Sequence, residues 1–356
     1  MKGFLTPSAN AIETMPKRWE DCLQGKGEID LQAVKILSQD QLLWSTGSLS
    51  SEMTSFFASK VLHSRVQKLE RTDYPTLLQN LAFKGHVYRL EEVVLDIPSL
   101  IATLVAPVKN HIFKINHTLG YEFIFDPNNP LNILDLNLYS DNPISPTKKT
   151  TLTLQAHRYL FAAGEGNALL THKLTTHSAM QCRPLQMVMV KLDNINFQDY
   201  ALYGHCLDSG MNPRITITTH PTQDGKIVWY IGGQIAEDGV NRTRDEQIAA
   251  AKKGLCTLFP WVNFDHAQFS SFFINRAEPQ QPGGRRPENP FLKTIGNVMV
   301  AWPTKLALSP LLSDYIIAEL QQKGIKPSLE NTVDSEDLQR LDKPTIAKPV
   351  WDEMFF

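Results

Sequence analysis

The chain has 356 residues, of which 42% are hydrophobic. This length can bury a large core and predicts two domains, or one domain with a substantial insertion. The 35 basic and 37 acidic residues give a formal net charge of -2, so neither nucleic acid nor an anionic membrane surface is the expected partner. The four cysteines form no C-x-x-C pair, which argues against a metal site and favours a reducing cytoplasm. No stretch is long and apolar enough to span a bilayer, so we expect no integral membrane segment.

The first 140 residues mix predicted helices and strands. Helical spacing of apolar residues, and prolines at helix starts, separate the helices from the short apolar runs that predict strands. The predicted elements are helices over 6–24, 51–60 and 100–105 and strands over 34–44, 88–95, 110–116, 121–125 and 133–139. The last two strands are expected to pair antiparallel, because a turn rich in Asp, Asn and Pro separates them.

A short apolar strand then runs into a turn of small residues, R-Y-L-F-A-A-G-E-G-N at positions 158–167. A turn with almost no side chains lets the backbone lie against a pyrophosphate or a ribose. The other interpretation is an ordinary connection between a strand and a helix. The four residues 163–166 alone do not decide between the two.

Residues 180–274 are predicted to form an antiparallel block. Strands are expected over 187–192, 214–220, 226–232 and 269–275, and a helix over 245–258. The tripeptide Q-D-G at 223–225 is typical of a hairpin turn. An antiparallel block between two mixed α/β segments indicates a two-domain plan in which the block is an insertion.

A second turn follows a loop that is rich in Pro, Gly and Arg. The segment N-V-M-V-A-W-P-T-K-L-A-L-S-P at 297–310 predicts a strand, a sharp turn and a helix over 306–322. A cap by Thr304 and a strand break by Pro303 would explain the turn on structural grounds alone. The polar, proline-containing tail after residue 324 is expected to be irregular.

Six segments, in this order, resemble the FAD-dependent oxidoreductases of the D-amino-acid oxidase and glycerol-3-phosphate dehydrogenase superfamily. The segments are M-P-K-R-W at 15–19, R-P-L-Q-M-V-M-V-K at 183–191, I-T-I-T-T-H at 215–220, V-W-Y-I-G-G-Q at 228–234, R-A-E-P-Q at 276–280 and A-W-P-T-K at 301–305. The resemblance implies FAD in a nucleotide-binding domain, with the flavin ring facing a sheet of a substrate domain.

The resemblance also implies which residues approach the cofactor. The first turn is similar to the family's turn at the ADP half of FAD, and the second is similar to the turn at the flavin ring. The cofactor-binding residues expected on this basis are Ala163, Gly164, Gly166, Ala301, Trp302, Pro303, Thr304 and Lys305. A helix beginning near Lys305 is expected to direct its free N–H groups at the flavin and to favour the reduced, more negative ring.

One family feature is missing from the sequence. The family opens with a strand, a G-x-G-x-x-G turn and a helix, and no such motif occurs here. The expected fold class is therefore mixed α/β (α+β): an N-terminally truncated, Rossmann-like FAD-binding domain that lacks about fifty residues, with an inserted antiparallel substrate domain. The expected boundaries are 1–178 for the FAD-binding part (30–95 partly on the substrate side), 179–280 for the substrate domain, 281–325 for the return and 326–356 for the tail.

Candidate substrate residues lie in the antiparallel block and the loop after it. If the sheet faces the flavin, alternate strand residues such as Thr219 and Trp229 line the pocket, and His220 can serve as a general base. Guanidinium groups bind carboxylate or phosphate, so Arg276 is a candidate catalytic residue and Arg286 a candidate substrate-binding residue. A structural histidine and a solvated basic loop are the alternatives.

The sequence thus predicts a cytoplasmic flavoenzyme that acts on a small molecule. It is expected to oxidise a C–H bond next to an amine or hydroxyl of a small acid or a phosphorylated polyol, with hydride passing to flavin N5. The electron acceptor is not assigned by the sequence. The alternative is a truncated, non-catalytic remnant of the family without tightly bound FAD.

Overall fold

The computed structural model describes residues 9–46, 66–115, 120–142, 145–174, 180–193, 197–207, 213–327 and 338–355. The predicted helix over 51–60 lies outside these residues. The chain divides into two compact units, each made from three segments. Unit 1 contains Met1–Gln32, Thr103–Arg183 and Ala277–Ile346, and unit 2 contains Ala33–Ala102, Pro184–Arg276 and Ala347–Phe356.

The described helices and strands are numbered in chain order. The helices are α1 (Ala9–Glu13), α2 (Met15–Leu23), α3 (Ile97–Val105), α4 (Asn167–His172), α5 (Phe197–Tyr200), α6 (Gln234–Asp238), α7 (Arg244–Leu258), α8 (Ser309–Gln322) and α9 (Val350–Met354). The strands are β1 (Ile36–Ser38), β2 (Gln41–Ser45), β3 (Val66–Lys68), β4 (Val87–Leu90), β5 (Val94–Leu95), β6 (Tyr121–Asp126), β7 (Asn129–Asn142), β8 (Ser145–Leu154), β9 (Tyr159–Phe161), β10 (Met180–Leu192), β11 (Tyr203–Leu207), β12 (Ile215–Pro221), β13 (Ile227–Gly232), β14 (Gln268–Pro279), β15 (Phe291–Ile295) and β16 (Val298–Trp302). The fold is mixed α/β, as predicted.

Unit 1 contains two small sheets. One is the antiparallel meander β6-β7-β8, in which β6 and β7 are the predicted antiparallel pair. The other has the order β15-β16-β9, with β16 parallel to β9. Their apolar residues share one core, in which Phe123 stacks on Phe161 with ring centroids 5.6 Å apart. This core fixes β9 and β16, the two strands that lead into the predicted cofactor turns.

Unit 2 is built on an eight-stranded sheet of order β14-β10-β13-β12-β11-β2-β4-β3. The predicted hairpin is present, since β12 and β13 pair antiparallel around Asp224 and Gly225. Helix α7 begins with a capping box between Thr243 and Glu246 and packs its apolar residues, such as Leu255, against one face of the sheet. Buried apolar side chains therefore define a covered face of this sheet.

Two predictions of local structure are wrong. Of the strand predicted over 110–116, the described residues 110–115 do not form a strand, because the chain continues from α3 into a 3-10 helix over Ala106–His111 with a proline in its first turn. The C-terminal tail is not irregular throughout. Pro349 precedes the short helix α9, whose Trp351 is buried. An apolar side chain in a polar tail gains enough from burial to order its neighbours.

Within the described ranges, no helix combines the length and the apolarity that a crossing of the lipid bilayer requires.

Candidate functional site

The two predicted cofactor turns lie side by side in unit 1. Strand β9 ends at Phe161 and strand β16 at Trp302, and the two strands are parallel, with Val300 opposite Phe161. Because parallel strands present their carboxyl ends at the same edge of a sheet, the turns that follow them meet there. This is the edge at which open α/β sheets bind their ligands.

Hydrogen bonds join the two turns into one surface. The side chain of Asn167 is fully buried; its Oδ1 accepts from the N–H of Ala163 at 2.8 Å, and its Nδ2 donates to the carbonyl of Ala301 at 3.2 Å. Trp302 donates its indole N–H to the carbonyl of Gly164 at 3.1 Å. The sequence analysis placed Asn167 at the end of the first motif without a role, and the structure shows that it holds both turns together.

The first turn is shaped by glycine. Gly164 has φ +58, and a β-carbon built on it would have no neighbour within 4 Å. Glycine is therefore needed there for the backbone angle, because left-handed conformations strain residues that carry a β-carbon. The turn residues Ala162 to Glu165 are exposed, so their backbone is open to a ligand.

The second turn contains a strained residue. Thr304 has φ +63 without being a glycine, and the N–H of Lys305 donates to the carbonyl of Pro303 at 2.7 Å. This is a γ-turn with positive φ, which is rare for L-amino acids. The Thr304 hydroxyl lies 3.3 Å from the carbonyl of Asn289, which helps to hold the conformation. Strain of this kind is found at functional sites more often than elsewhere.

The helix after the second turn starts later than predicted. A 3-10 turn spans Leu306–Leu308, and α8 begins at Ser309 instead of near Lys305. The start is delayed because Thr304 adopts the left-handed angle and Lys305 an extended one, neither of which continues into a helix. A direct contact between the α8 N-terminus and a ligand at Thr304 is therefore not supported.

The segment after the second turn is braced by the M-P-K-R-W motif of α2. Trp19 donates its indole N–H to the carbonyl of Ala307 at 3.0 Å. Arg18 binds both carboxylate oxygens of Asp314, on α8, at 2.6 and 2.9 Å. The motif therefore supports the geometry of the second turn.

In unit 2, the register of the strands separates two sets of predicted residues. Side chains alternate between the faces of a sheet. On the covered face, Thr219 is fully buried and exchanges hydrogen bonds with the backbone of Leu202 at 2.8 and 3.0 Å. Trp229 is also fully buried, and its indole N–H donates to Tyr200 at 3.0 Å. The prediction that Thr219 and Trp229 line one pocket with His220 does not fit this alternation, since His220 follows Thr219 in β12 and faces the other way.

The opposite face of the sheet, here called the polar face, carries His220, Tyr203, Tyr230 and Arg276. In the register, Thr218 lies opposite both Tyr203 of β11 and Tyr230 of β13, so the two phenols share the face of His220. Arg276 follows Phe272 by four residues in β14, and Phe272 contacts Tyr230 with ring centroids 6.0 Å apart. The structure thus brings His220 and Arg276 to the same face.

His220 is buried on the polar face. Its ring stacks on that of Trp351 with centroids 3.8 Å apart and 14° between the planes, and it meets the edge of Tyr230 at 6.2 Å. Burial lowers the pKa of His220 from 6.5 to about 4, against a weaker opposing attraction from Asp96. No described residue provides a hydrogen-bond partner for its Nδ1 atom. His220 is therefore a neutral imidazole with an unused polar atom.

Tyr203 and Tyr230 have raised pKa values. Burial, with a smaller effect of the Asp96 charge, raises the pKa of Tyr203 to about 12, and its hydroxyl has no partner among the described residues. Burial also raises the pKa of Tyr230, although the nearby charge of Arg276 opposes the change. Both phenols are therefore protonated at neutral pH and can donate a hydrogen bond.

The two candidate arginines differ in their surroundings. Arg276 Nη1 lies 3.6 Å from Glu237 Oε1, with about a third of each side chain exposed. Arg286 lies on the loop of unit 1 and is exposed. Its neighbour in that unit, Glu278, is held by two 2.8 Å hydrogen bonds from Arg183. Arg276 and Arg286 belong to different units.

Sequence patterns alone did not indicate Tyr203, Tyr230, Trp351 or the role of Asn167. Alternation along β13 shows that Tyr230 and Trp229 point to opposite faces of the sheet. It does not show that Tyr230 shares a face with His220, which requires the register between the strands. Trp351 lies about 130 residues beyond His220 in the chain, and no local pattern links them.

Comparison with known proteins identifies the family of the chain. No family model matches the chain. A probable FAD-dependent oxidoreductase of Pseudomonas aeruginosa is 41% identical over 357 aligned positions, which span 100% of this chain and 85% of that protein. The crystal structure of an FAD-dependent oxidoreductase from Pseudomonas aeruginosa matches with a TM-score of 0.78 and 36% identity, covering 98% of this chain and 84% of that one.

A more distant solved structure shows the fold alone. The L-proline dehydrogenase of P. horikoshii matches with a TM-score of 0.57 and 11% identity, over 92% of this chain and 83% of that one. The identity and coverage of the Pseudomonas protein are high enough to establish the family, and FAD is the family's cofactor. The chain belongs to the FAD-dependent oxidoreductases.

Proposed function

We propose that this FAD-dependent oxidoreductase oxidises a C–H bond next to an amine or a hydroxyl group of a small carboxylic acid. The observation that carries the proposal is the polar face of unit 2. It groups a neutral histidine, two protonated tyrosines and an arginine on one side of one sheet. This set can bind a carboxylate, donate hydrogen bonds and accept a proton.

The surface formed by the two turns of unit 1 fits FAD. The N–H of Thr304 has no partner among the described residues, and the side of Gly164 that would carry a β-carbon is open. Leu306, directly after the second turn, is 48% exposed. An N–H without a described partner beside an exposed apolar side chain suits a flat ring system with a polar edge. The residues proposed to hold FAD are Ala163, Gly164, Gly166, Ala301, Trp302, Pro303, Thr304 and Lys305.

The chemistry that FAD supplies when bound is two-electron acceptance, in which the flavin ring takes a hydride from the substrate. The protein's own part is to bind and orient the substrate and to take up its proton. We assign carboxylate binding to Arg276, because a guanidinium group matches a carboxylate with two parallel hydrogen bonds. Tyr203 and Tyr230 are assigned the role of hydrogen-bond donors.

Proton transfer is assigned to His220. Loss of a hydride from carbon makes the attached amine or hydroxyl more acidic, so a nearby base must accept its proton. A histidine with a pKa of about 4 is neutral at physiological pH and has a ring nitrogen available as acceptor. We assign the proton to Nδ1, which has no partner among the described residues; because this atom is buried, the substrate must displace the side chains that cover it.

The first test is reduction of bound flavin by candidate substrates. The purified holoprotein is mixed without oxygen with amino acids, 2-hydroxy acids and a phosphorylated polyol, and bleaching of the flavin absorbance is followed. Bleaching by one of the acids supports the proposal. Bleaching by the polyol alone favours the second substrate class, since Arg276 or Arg286 would bind phosphate equally well. A protein that binds no flavin contradicts the proposal.

The second test separates the two arginines. Arg276→Gln is expected to raise KM about 10- to 100-fold, because a hydrogen bond to a charged group contributes about 1.5–3 kcal/mol. Arg285→Gln is the matched control on the exposed loop and should leave KM unchanged. If Arg286→Gln raises KM and Arg276→Gln does not, the carboxylate site has been assigned to the wrong arginine.

A further inference from the structure

The C-terminal helix α9 is anchored on the polar face of unit 2. Asp352 accepts a hydrogen bond from the N–H of Gln223 at 3.1 Å, and the ring of Phe355 lies 6.0 Å from the Lys191 ammonium. Trp351 packs among buried residues that include Met189 and Val228. These contacts come from strands β10 and β13 and from the hairpin turn. Helix α9 and Phe355 are therefore a built part of unit 2.

Trp351 covers His220 within this anchored helix. The two rings are stacked face to face at 3.8 Å, and Tyr230 meets Trp351 at 6.4 Å and His220 at 6.2 Å, in both cases edge to face. Trp351 is 8% exposed and His220 is 7% exposed. The indole therefore shields one whole face of the imidazole from water, while Tyr230 limits rotation of both rings.

We propose that Trp351 is a positioning residue, which holds the imidazole of His220 in one plane and keeps it dry. This inference rests on the proposed catalytic role of His220. It assigns to the C-terminal segment a part in the chemistry that the sequence did not indicate. Trp351 acts through His220 and needs no contact with the substrate.

The charged and titratable groups around His220 are consistent with this role. Tyr230 faces it from β13, Asp352 lies beside Trp351 on α9, and Asp96 acts on it at longer range. On β10, the Lys191 ammonium is paired with Asp224 at 2.8 Å. Asp352 accepts a hydrogen bond from the N–H of Gln223. None of these groups therefore supplies a close counter-ion for a protonated imidazole.

Two opposing effects of the indole must be compared. Removing it would admit water and raise the pKa of His220, but would also remove a cation–π attraction for the protonated ring. That attraction raises the pKa of His220 by about one unit. Burial by all surrounding groups together lowers the pKa from 6.5 to about 4, and Trp351 covers one whole face of the ring, so we expect its share of this effect to exceed the attraction. Loss of Trp351 should therefore raise the pKa of His220.

The test is a histidine titration by NMR on the flavin-loaded protein, with the His220 signal assigned from its absence in His220→Gln. In Trp351→Ala the pKa of His220 should rise by about one to two pH units. Trp351→Leu keeps apolar volume and helix docking, and should give a smaller rise of the same sign. Trp351→Phe, which keeps a stacked ring, should restore a value near that of the wild type. Glu353→Ala, an exposed change on the same helix, should have no effect.

The outcomes separate this inference from the proposed function. An unchanged His220 pKa in both Trp351→Ala and Trp351→Leu overturns the positioning role. If the pKa rises and the acid limb of the pH profile for flavin reduction moves with it, both the positioning role and the catalytic role are supported. If the pKa rises while the acid limb stays in place, Trp351 positions His220 but His220 is not the catalytic base.

Discussion

The two candidate sites of this protein are built in different ways. In unit 1, the surface formed by the two turns offers mainly backbone groups, and its key side chains, Asn167 and Trp302, serve to hold those groups in place. In unit 2, the polar face offers side chains on a regular sheet whose backbone groups are paired within the ladder. A cofactor common to a family can be bound by a backbone shape, whereas a substrate must be distinguished by side-chain chemistry.

The comparison predicts that the unit 1 surface depends most on Asn167. Asn167→Leu keeps the volume but leaves the N–H of Ala163 and the carbonyl of Ala301 without their partner. Each unpaired group costs about 1–3 kcal/mol, so the free energy of unfolding should fall by about 4 kcal/mol. Bound flavin should be lost as well, since the two turns are no longer joined.

Flavin content per chain and urea unfolding measure these two effects. Leu169→Ala is the matched control on the same helix, because Leu169 is 74% exposed. It should change neither quantity. Full flavin occupancy in Asn167→Leu would show that the turns keep their shape without this side chain, and that the backbone surface is held by other contacts.

For the polar face, the next largest effect is the pH dependence of stability through His220. Its pKa is about 4 in the folded protein and 6.5 when unfolded, so the unfolded chain binds more protons between these values. Stability is therefore lost as pH falls through this window, with a slope of about 1.4 kcal/mol per pH unit. Between pH 7 and pH 5 the loss should be about 2 kcal/mol.

Urea unfolding at the two pH values, in the wild type and in His220→Gln, isolates this contribution. Gln cannot titrate, so the variant should lose about 2 kcal/mol less than the wild type over the same interval. Equal losses in both proteins would mean that His220 is exposed to water in the folded protein. The polar face would then not be a dry site, and its contrast with the exposed turns of unit 1 would disappear.

Sequence patterns predicted the local structure of the unit 1 turns better than the arrangement of the polar face of unit 2, for a physical reason. The turns at 163–167 and 301–305 are local, and their small residues, Pro303 and the preceding strands are visible in short segments. The hairpin around Asp224 and the helix α7 were also predicted, because their signals are local. Predicting the polar face would have required the register of five strands. A slip of one residue moves every side chain of a strand to the other face of the sheet.

The misassignment of Thr219 and Trp229 illustrates this limit. Alternation predicts that Thr219 and His220 face opposite sides, but it does not reveal which side is covered by a helix. The contact of Trp351 with His220 was also beyond local patterns, since tertiary packing orders a tail that its composition describes as polar. The strand predicted to start at residue 110 is absent because the preceding helix continues into a 3-10 helix that ends at His111.

A pair of substitutions compares the two faces of the sheet directly. On the covered face, Thr219→Val removes the hydroxyl that bonds the backbone of Leu202, and should lower the free energy of unfolding by about 1–3 kcal/mol. On the polar face, Tyr203→Phe removes a buried hydroxyl that has no partner among the described residues. This change should raise stability by about 1 kcal/mol, because an unsatisfied polar group is removed.

The variant that loses stability should keep its activity, and the variant that gains stability should lose activity. Thr219→Val should leave kcat/KM for flavin reduction unchanged at a temperature where it is folded. Tyr203→Phe should lower kcat/KM about tenfold, the value of one hydrogen bond to the substrate. If Tyr203→Phe is more stable and fully active, its hydroxyl has no function. If it is less stable, the hydroxyl has a structural partner.

The smallest expected effect concerns the strain at Thr304 in unit 1. Its φ of +63 costs an L-amino acid about 1–2 kcal/mol, which Thr304→Gly relieves. The greater entropy of glycine in the unfolded chain offsets part of this gain, so the net stabilisation should be about 0.5–1 kcal/mol. Thr304→Pro is the contrasting variant, because a proline ring fixes φ near −65° and also removes the N–H that we assign to the flavin.

These two variants distinguish a strained turn that serves the cofactor from a strained turn that is merely tolerated. Thr304→Gly should unfold at a higher urea concentration and still bind flavin, although more weakly if the hydroxyl near Asn289 helps to fix the turn. Thr304→Pro should lose flavin. Flavin binding unchanged in Thr304→Pro would place the ring away from this turn, and unit 1 would then hold FAD through the glycine turn at Gly164 alone.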